Sequence, residues 1–154
     1  MPDCRLRPAT LDDVPRLTAI AEAAYAPYVP RMGKKPAPMI ADFAAHVRAA
    51  AGFVAEAGGV IAGYIVTFLK SSDQFIENVA VDPAWHGKGI GHRLIQFAEQ
   101  DALRHGAARI FLYTNIHMTE NLDFYPKLGY VETHRVREHG FDRVYFEKRL
   151  THER

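Results

Sequence analysis

The most informative segment of this sequence is Asn78-Val-Ala-Val-Asp-Pro-Ala-Trp-His-Gly-Lys-Gly-Ile-Gly91. A short apolar run ends at Val81, Asp82-Pro83 turns the chain, and a glycine-rich loop leads directly into a segment with helical periodicity. The first amides of a helix have no carbonyl partner within the helix, and the helix dipole adds partial positive charge there. Glycines let the backbone approach a ligand without a Cβ in the way. The segment therefore predicts a strand, a loop and a helix start that together bind an anionic phosphate.

Two common phosphate-binding motifs do not fit this loop. A dinucleotide fingerprint that starts at Gly87 needs a glycine where this chain has His92, and one that starts at Gly89 fails at Leu94. A P-loop fails as well, because no Gly-Lys-Ser/Thr follows a glycine at the required spacing. The loop is therefore predicted to be a phosphate cradle of another type.

Two segments resemble the GNAT superfamily of N-acetyltransferases. His86-x-x-Gly89-x-Gly91, after Val-Ala-Val-Asp-Pro, is similar to motif A of the superfamily, and Phe124-Tyr-Pro-Lys-Leu-Gly-Tyr130 resembles its motif B. The two motifs occur in the order that the family has. The resemblance implies that acetyl-CoA is the co-substrate, that no metal is needed, and that a primary amine attacks the acetyl group directly in a ternary complex.

The resemblance also implies roles for the motif residues. The backbone of the strand end should pair with the pantetheine arm and offer an oxyanion-hole amide, and Tyr125 should protonate the CoA thiolate as it leaves. The family usually has Gln or Arg at position 86, a difference that a contact through the backbone tolerates. The strand end consists of Val79, Ala80 and Val81, and the pyrophosphate is expected at His86, Gly87, Lys88, Gly89, Ile90, Gly91 and His92.

A second departure from the family lies just before motif B. The family often has an asparagine there, where this chain has Met118. Asn121 precedes Tyr125 by one helical turn, so the two share a helix face. We therefore expect Asn121 to reach the pantetheine in place of the missing asparagine.

The acceptor amine must be neutral to attack. A lysine-like amine has a reference pKa of about 10.4 and needs a base, whereas an α-amine, at about 8, needs little help. Glu77 precedes the strand end, and related enzymes often use a carboxylate on this strand. Glu77 is therefore the candidate base, and the open alternative is a solvated or salt-bridged glutamate.

Residues 27–38 form a basic, proline-rich segment with Tyr28, Arg31, Lys34 and Lys35. In the family, the connection between the first two helices usually borders the acceptor site. Tyr28 and Arg31 are therefore expected to bind an acceptor that carries a carboxylate or an aromatic group. A solvated basic loop is the alternative.

Composition limits the number of domains, the kinds of partner and the cellular compartment that we expect. The chain of 154 residues suits a single domain over residues 1–154, and a net charge of +1 argues against nucleic acid or a membrane as partner. The single cysteine, Cys4, allows no internal disulfide, which favours a reducing compartment, so we expect a cytoplasmic protein. The N-terminal residues do not resemble a signal peptide, and the eight histidines show no spacing typical of a metal site.

The periodicity of the sequence predicts an α/β fold with the order β-α-α-β-β-β-α-β-α-β-β. The resemblance implies that these elements form a GNAT-type sheet, which is mixed and mostly antiparallel and has helices on both faces. Strands 4 and 5 of this sheet are expected to splay apart around CoA. The predicted helices cover about 14–25, 40–47, 89–105 and 119–128, and the segment 27–38 is expected to be irregular.

Two questions stay open at the level of the sequence. A CoA-binding sensor or structural module of the same fold would keep the glycines of the loop and would not need Tyr125 or a base. For an enzyme, the acceptor could be a protein N-terminus, an amino acid, a polyamine or a xenobiotic amine. A homodimer is common among GNAT proteins, so it is a further expectation.

Overall fold

Seven strands and five α-helices lie within residues 4–150, the part of the chain that the computed structural model describes. The strands are Cys4–Pro8 (β1), Gly52–Ala57 (β2), Val60–Lys70 (β3), Asp73–Val81 (β4), Arg109–Asn115 (β5), Val131–Glu138 (β6) and Phe141–Arg149 (β7). The α-helices are Val14–Tyr25 (α1), Tyr28–Met32 (α2), Phe43–Arg48 (α3), Ile90–Arg104 (α4) and Thr119–Lys127 (α5). None of the helices in this part of the chain combines the length and the apolar character needed to span a bilayer.

The strands form one sheet in the order β1-β2-β3-β4-β5-β7-β6. The pairs β1–β2, β2–β3, β5–β7 and β6–β7 are antiparallel, and β4–β5 is parallel. The parallel register joins Gln74–Ile76 to Ile110–Leu112, while β4 continues to Val81 and β5 to Asn115. The predicted α/β fold with a mixed, mostly antiparallel sheet is confirmed.

The chain packs as two compact units, each built from two separate stretches of sequence. The first unit contains the residues up to Thr67 together with Glu77–Ala98. The second contains Phe68–Ile76 and the residues from Glu99 onward. The single domain expected from the sequence stays a prediction.

In the first unit, helices cover both faces of the sheet. Neighbouring residues of a strand point to opposite faces. A Cβ on Gly63 would lie within 3.4 Å of Ile90 and Leu94 of α4, whereas the ring of Tyr64 packs edge-on against Phe43 of α3 at 5.1 Å. The apolar side of α1 is also buried, through Leu17, Ile20 and Ala21.

The segment 27–38 is more regular than the sequence predicted. It contains α2 and leads into a 3₁₀ turn over Ala37–Ile40. Pro30 is the third residue of α2, where an amide has no partner within the helix, so the proline costs no helical hydrogen bond.

The next helix, predicted from position 40, begins at Phe43 because the Asp42 side chain accepts a hydrogen bond from the Ala45 amide.

In the second unit, aromatic side chains pack on β5. The rings of Phe75 and Phe111 stack at 4.8 Å, and Leu112 and Phe146 are buried. The edge strand β6 pairs with β7 in the final hairpin, as predicted, and its residues 131–137 are exposed.

Candidate functional site

The turn after β4 is anchored to two other elements of the first unit. Asp82 Oδ1 accepts a hydrogen bond from the Ala84 amide at 3.0 Å and so caps a 3₁₀ turn over Pro83–Trp85. Arg16 Nη2 of α1 donates to Asp82 Oδ2 at 2.5 Å, and the Asp82 amide donates to the Ala62 carbonyl of β3 at 2.8 Å. Arg16 first, and then the Ala84 amide, lowers the pKa of Asp82. The entry to the glycine-rich loop is therefore held in place.

The glycine-rich loop presents its backbone to solvent. Gly87 and Gly89 have φ angles of +77° and +79°, which L side chains rarely adopt. The Arg93 amide donates to the Gly89 carbonyl at 3.1 Å, the first hydrogen bond of α4. The amides of Gly89 to His92 therefore have no carbonyl partner within the helix. This exposed helix start has the chemistry that a pyrophosphate needs, and the buried Ile90 fixes its position.

Gly63 of β3 determines how closely α4 approaches the sheet. A Cβ at this position would lie 2.8 Å from the Ala80 carbonyl oxygen, 3.2 Å from Leu94 Cδ1 and 3.3 Å from Ile90 Cγ2. Ala80 belongs to the strand end and Ile90 to the helix start. Gly63 is thus a site residue that the sequence reasoning missed, because a single glycine inside an apolar strand gave no functional signal.

The strand end Val79–Val81 is connected to the helices of the first unit through Asn78. Asn78 is 3% exposed, and its Oδ1 accepts a hydrogen bond from the Tyr64 hydroxyl at 2.8 Å. Its Nδ2 donates to the Pro38 carbonyl at 3.1 Å. The Tyr25 hydroxyl lies 2.9 Å from the Val79 carbonyl oxygen and 3.1 Å from Asn78 Oδ1. This buried network fixes the backbone that was predicted to pair with pantetheine.

Glu77 is the first residue of the part of β4 that belongs to the first unit. Its Oε2 is 2.8 Å from Nε2 of His46 on α3, and the two side chains are 35% and 20% exposed. The role of Glu77 as a base stays a prediction. The partner is an imidazole, which the sequence reasoning did not connect to Glu77 because His46 is distant in sequence.

The two predicted acceptor residues contact each other on α2. The guanidinium carbon of Arg31 lies 5.1 Å from the centroid of the Tyr28 ring, a cation–π contact. The ring of Tyr28 lies 6.4 Å from that of Tyr25, whose hydroxyl reaches the strand end. Tyr28 and Arg31 are therefore linked to the strand end through one intervening side chain.

In the second unit, Tyr125 is buried in a cluster of aromatic rings. Its ring centroid lies 5.2 Å from Phe124, 5.8 Å from Tyr130 and 6.0 Å from Phe146. Its carbonyl accepts hydrogen bonds from the amides of Leu128 and Tyr130, which close the end of α5. The phenol therefore has a fixed position in this unit.

The end of motif B is held by charged partners from α4 and β7. The Tyr130 hydroxyl donates to Glu99 Oε2 at 2.8 Å, and Lys148 Nζ donates to the Leu128 carbonyl at 2.9 Å. Burial, and then the charge of Glu99, raises the pKa of Tyr130. The sequence reasoning missed Glu99 and Lys148, because both are distant from the motif in sequence.

Asn121 makes its observed contacts within the second unit. Its Nδ2 donates to Thr114 Oγ1 at 3.1 Å and lies 3.7 Å from Met118 Sδ. Met118, which replaces the family's asparagine, is buried. Contact between Asn121 and pantetheine stays a prediction.

The predicted residues thus fall into two groups. Tyr28, Arg31, Glu77, Val79–Val81 and the loop residues 86–92 belong to the first unit, and Asn121 and Tyr125 belong to the second. Over residues 4–150, no three His, Cys, Asp or Glu side chains lie together as metal ligands would.

Comparison with known proteins identifies related sequences and folds. Residues 17–130 match the model of the acetyltransferase (GNAT) family. No curated protein sequence matches the chain. The fold is similar to the ribosomal-protein-S18-alanine N-acetyltransferase of Escherichia coli, with a TM-score of 0.78, 18% identity, and coverage of 98% of this chain and 96% of that one.

Two further similar structures hold a ligand. The PaiA N-acetyltransferase of Thermoplasma acidophilum, in complex with coenzyme A, gives a TM-score of 0.80 at 17% identity and covers 96% of this chain and 99% of its own. YncA of Salmonella typhimurium, with its cofactor acetyl-CoA, gives 0.74 at 19% identity and covers 99% and 96%. At sequence identities of 17–19%, the similarity to these structures shows a shared fold alone.

Proposed function

Because this chain belongs to the acetyltransferase (GNAT) family, we propose that it transfers the acetyl group of acetyl-CoA to a primary amine. The amine nitrogen attacks the thioester carbonyl in a ternary complex, the C–N bond forms, and the C–S bond breaks to release the CoA thiolate. Burial raises the pKa of the Cys4 thiol, which makes that side chain a poor nucleophile and supports direct attack over an acyl-enzyme. The proposed setting is the cytoplasm.

The structure of the glycine-rich loop is the main support for this proposal. It combines two glycines with positive φ, exposed backbone, and the unpaired amides at the start of a long helix. A pyrophosphate supplies the negative charge and the acceptor oxygens that such a helix start favours. The residues present therefore fit coenzyme A, which is the ligand of one of the similar structures, while another holds acetyl-CoA.

Tyr125 is the proposed proton donor to the CoA thiolate. A thiolate that leaves a thioester needs a proton, and a phenol held in one position is a suitable general acid. The buried ring cluster around Tyr125 supports this role, because it leaves the phenol little freedom to turn away.

Glu77 is proposed to support removal of the proton that the acceptor amine loses. Its carboxylate lies two residues before the strand end and is partly exposed. The Tyr28–Arg31 stack supports an acceptor with a carboxylate or an aromatic group, since a guanidinium binds carboxylates and the ring offers a stacking surface.

Acetyl-CoA-dependent release of free thiol, measured with a panel of amines, tests the proposed function. The panel contains a peptide with an N-terminal alanine, chosen because the Escherichia coli structure is named for an alanine of ribosomal protein S18, together with spermidine and Nα-acetyllysine amide. We expect thiol release that depends on one of these amines and a matching acetylated product by mass spectrometry.

Thermal unfolding with acetyl-CoA separates an enzyme from a CoA-binding sensor. A ligand that binds the native state raises the melting temperature, and NAD and ATP serve as controls. A selective rise with thiol release supports the enzyme, and a rise without turnover of any amine favours the sensor. No rise at saturating acetyl-CoA contradicts the CoA site itself.

A further inference from the structure

His46 and Glu77 form a pair that differs from the other carboxylate pairs of the first unit. Asp13 and Glu56 bond to Arg7, and Asp82 bonds to Arg16. An arginine is always charged, so these carboxylates are fixed as the anionic halves of ion pairs. Arg7 lowers the pKa of Asp13 to about 2, and Arg16 lowers that of Asp82. Glu77 instead lies 2.8 Å from the imidazole of His46, a side chain whose two ring nitrogens can donate one hydrogen bond and accept a proton.

The pair lies beside the backbone that is proposed to bind pantetheine. Phe43, the first residue of α3, packs edge-on against Tyr64, and the Tyr64 hydroxyl bonds to Asn78, the residue after Glu77. These contacts fix α3 against β4 directly before Val79–Val81. His46 is on this helix, and its side chain is 20% exposed, so the imidazole is reachable from solvent.

On the basis of the proposed acetyl transfer, we propose that His46 accepts the proton of the acceptor amine and that Glu77 positions the imidazole. The carboxylate accepts a hydrogen bond from Nε2–H, which selects the tautomer with its lone pair on Nδ1. When Nδ1 takes the proton, the carboxylate balances the positive charge of the imidazolium, as the aspartate does in a Ser-His-Asp triad. Glu77 is then a positioning residue, and His46 is the catalytic residue.

The proton balance is complete with these groups. The ammonium form of the acceptor gives one proton to His46 Nδ1 and becomes a neutral amine. The amine attacks the acetyl carbonyl, and its second proton is lost as the amide forms. Tyr125 protonates the leaving thiolate and is reprotonated by that second proton through solvent. His46 then returns its proton to water.

The test compares kcat for thiol release in the full chain, with whichever of the three panel amines the wild type turns over fastest. His46→Ala removes the imidazole, whereas His46→Gln keeps an N–H that can bond to Glu77 and cannot accept a proton. We expect kcat to fall by about 100-fold in both variants, the lower end of the usual loss of a general base. The KM for acetyl-CoA should not change, and added imidazole should restore part of the rate to His46→Ala.

His134→Ala is the matched control. His134 is an exposed histidine on β6, stacked on Tyr145, so its removal should leave kcat unchanged and imidazole should have no effect. If His46→Ala does not fold, His46→Gln, which fills a similar volume, carries the test.

The outcomes separate this inference from the proposed function. A wild-type rate in His46→Gln, with an active wild type, overturns the inference alone, because His46 is then only a structural partner of Glu77. A wild type that turns over none of the three amines overturns the proposed function and this inference together.

Discussion

Gly89 directly precedes the first residue of α4 and has a left-handed backbone conformation. Its φ of +79° and its carbonyl, which accepts the first helical hydrogen bond, place its amide at the start of α4. An aspartate at this position would set a carboxylate where the pyrophosphate is proposed to bind. Gly89→Asp should therefore abolish the rise in melting temperature with acetyl-CoA.

Gly106→Asp is the control for Gly89→Asp. Gly106 follows the other end of α4, with a φ of +74° and open space around its Cβ position. The two variants carry the same backbone strain, about 1–2 kcal/mol. Protection by acetyl-CoA should survive in Gly106→Asp, and normal protection of Gly89→Asp would contradict the pyrophosphate site.

Tyr125→Phe removes one hydroxyl and keeps the ring in its aromatic cluster. We expect kcat to fall by about 100-fold while the affinity for acetyl-CoA stays the same, because only the proton donor is lost. Tyr145→Phe, on β7 in the same unit, should keep the wild-type rate. Equal kcat values for the two variants would remove Tyr125 from the mechanism.

At the residue scale, the sequence reveals the parts of the site that depend on local conformation. Gly87 and Gly89 stand out because few other residues adopt their φ angles. Asn78 and His46 could not be identified in the same way. Their roles depend on partners far away in sequence, and hydrogen bonds of that kind leave no local pattern.

The close contact between β3 and α4 depends on Gly63, which has no side chain to keep the two elements apart. Gly63→Ala would place a Cβ 2.8 Å from the Ala80 carbonyl oxygen, so the strand end or the helix start must move. We expect a loss of about 1–3 kcal/mol in the free energy of unfolding and weaker binding of acetyl-CoA. Urea unfolding and thermal shift measure the two effects.

Gly52→Ala provides the comparison for Gly63→Ala. Gly52 is a buried glycine of the neighbouring strand β2, and a Cβ there would meet its nearest neighbour, the Cβ of Ala9, at an ordinary 3.6 Å. Gly52→Ala should leave both stability and binding close to the wild type. Equal effects of the two substitutions would show that the close approach at Gly63 has no special role.

At the element scale, long periodic segments were predictable and short ones were not. The helix α4 was predicted because Ile90, Leu94, Ala98 and Ala102 repeat along one face, and all four are buried. The helix α2 has five residues, among them Pro30, and is too short to show a periodic pattern. Its structure depends on packing and on the left-handed cap at Gly33.

At the scale of the whole molecule, Arg7 ties β1 to β2 and to the start of α1. Its two hydrogen bonds to Asp13, at 2.8 and 3.1 Å, are the main cause of an Asp13 pKa of about 2, below the usual 3.8. The ionised carboxylate therefore stabilises the fold above about pH 4, and this contribution is lost as the pH falls from about 4 to about 2.

Asp13→Asn should lower the free energy of unfolding at pH 7 by about 2 kcal/mol, the equivalent of the pKa difference. It should also flatten the fall in stability between about pH 4 and pH 2. Urea unfolding at a series of pH values measures both effects. Asp12→Asn, at the exposed neighbouring residue, should follow the wild-type curve.

The family match at residues 17–130 includes parts of both compact units. The motif resemblance in the sequence was enough to predict the mixed, mostly antiparallel sheet. The order of elements, predicted from periodicity, lacked α2. The division of the chain into two units was not predictable, because it depends on the long-range packing of β3 and β4 and not on local pattern.

The interleaving of the two units has a consequence for synthesis on the ribosome. Gln74–Ile76, all buried in the finished protein, belong to the second unit and pair with Ile110–Leu112, about three dozen residues later in the chain. At about 5–20 residues per second, the apolar stretch waits roughly 2–7 seconds for its partner strand to emerge. During that interval the edge of β4 that later pairs with β5 stays open, so this edge is where a chaperone would have most to protect.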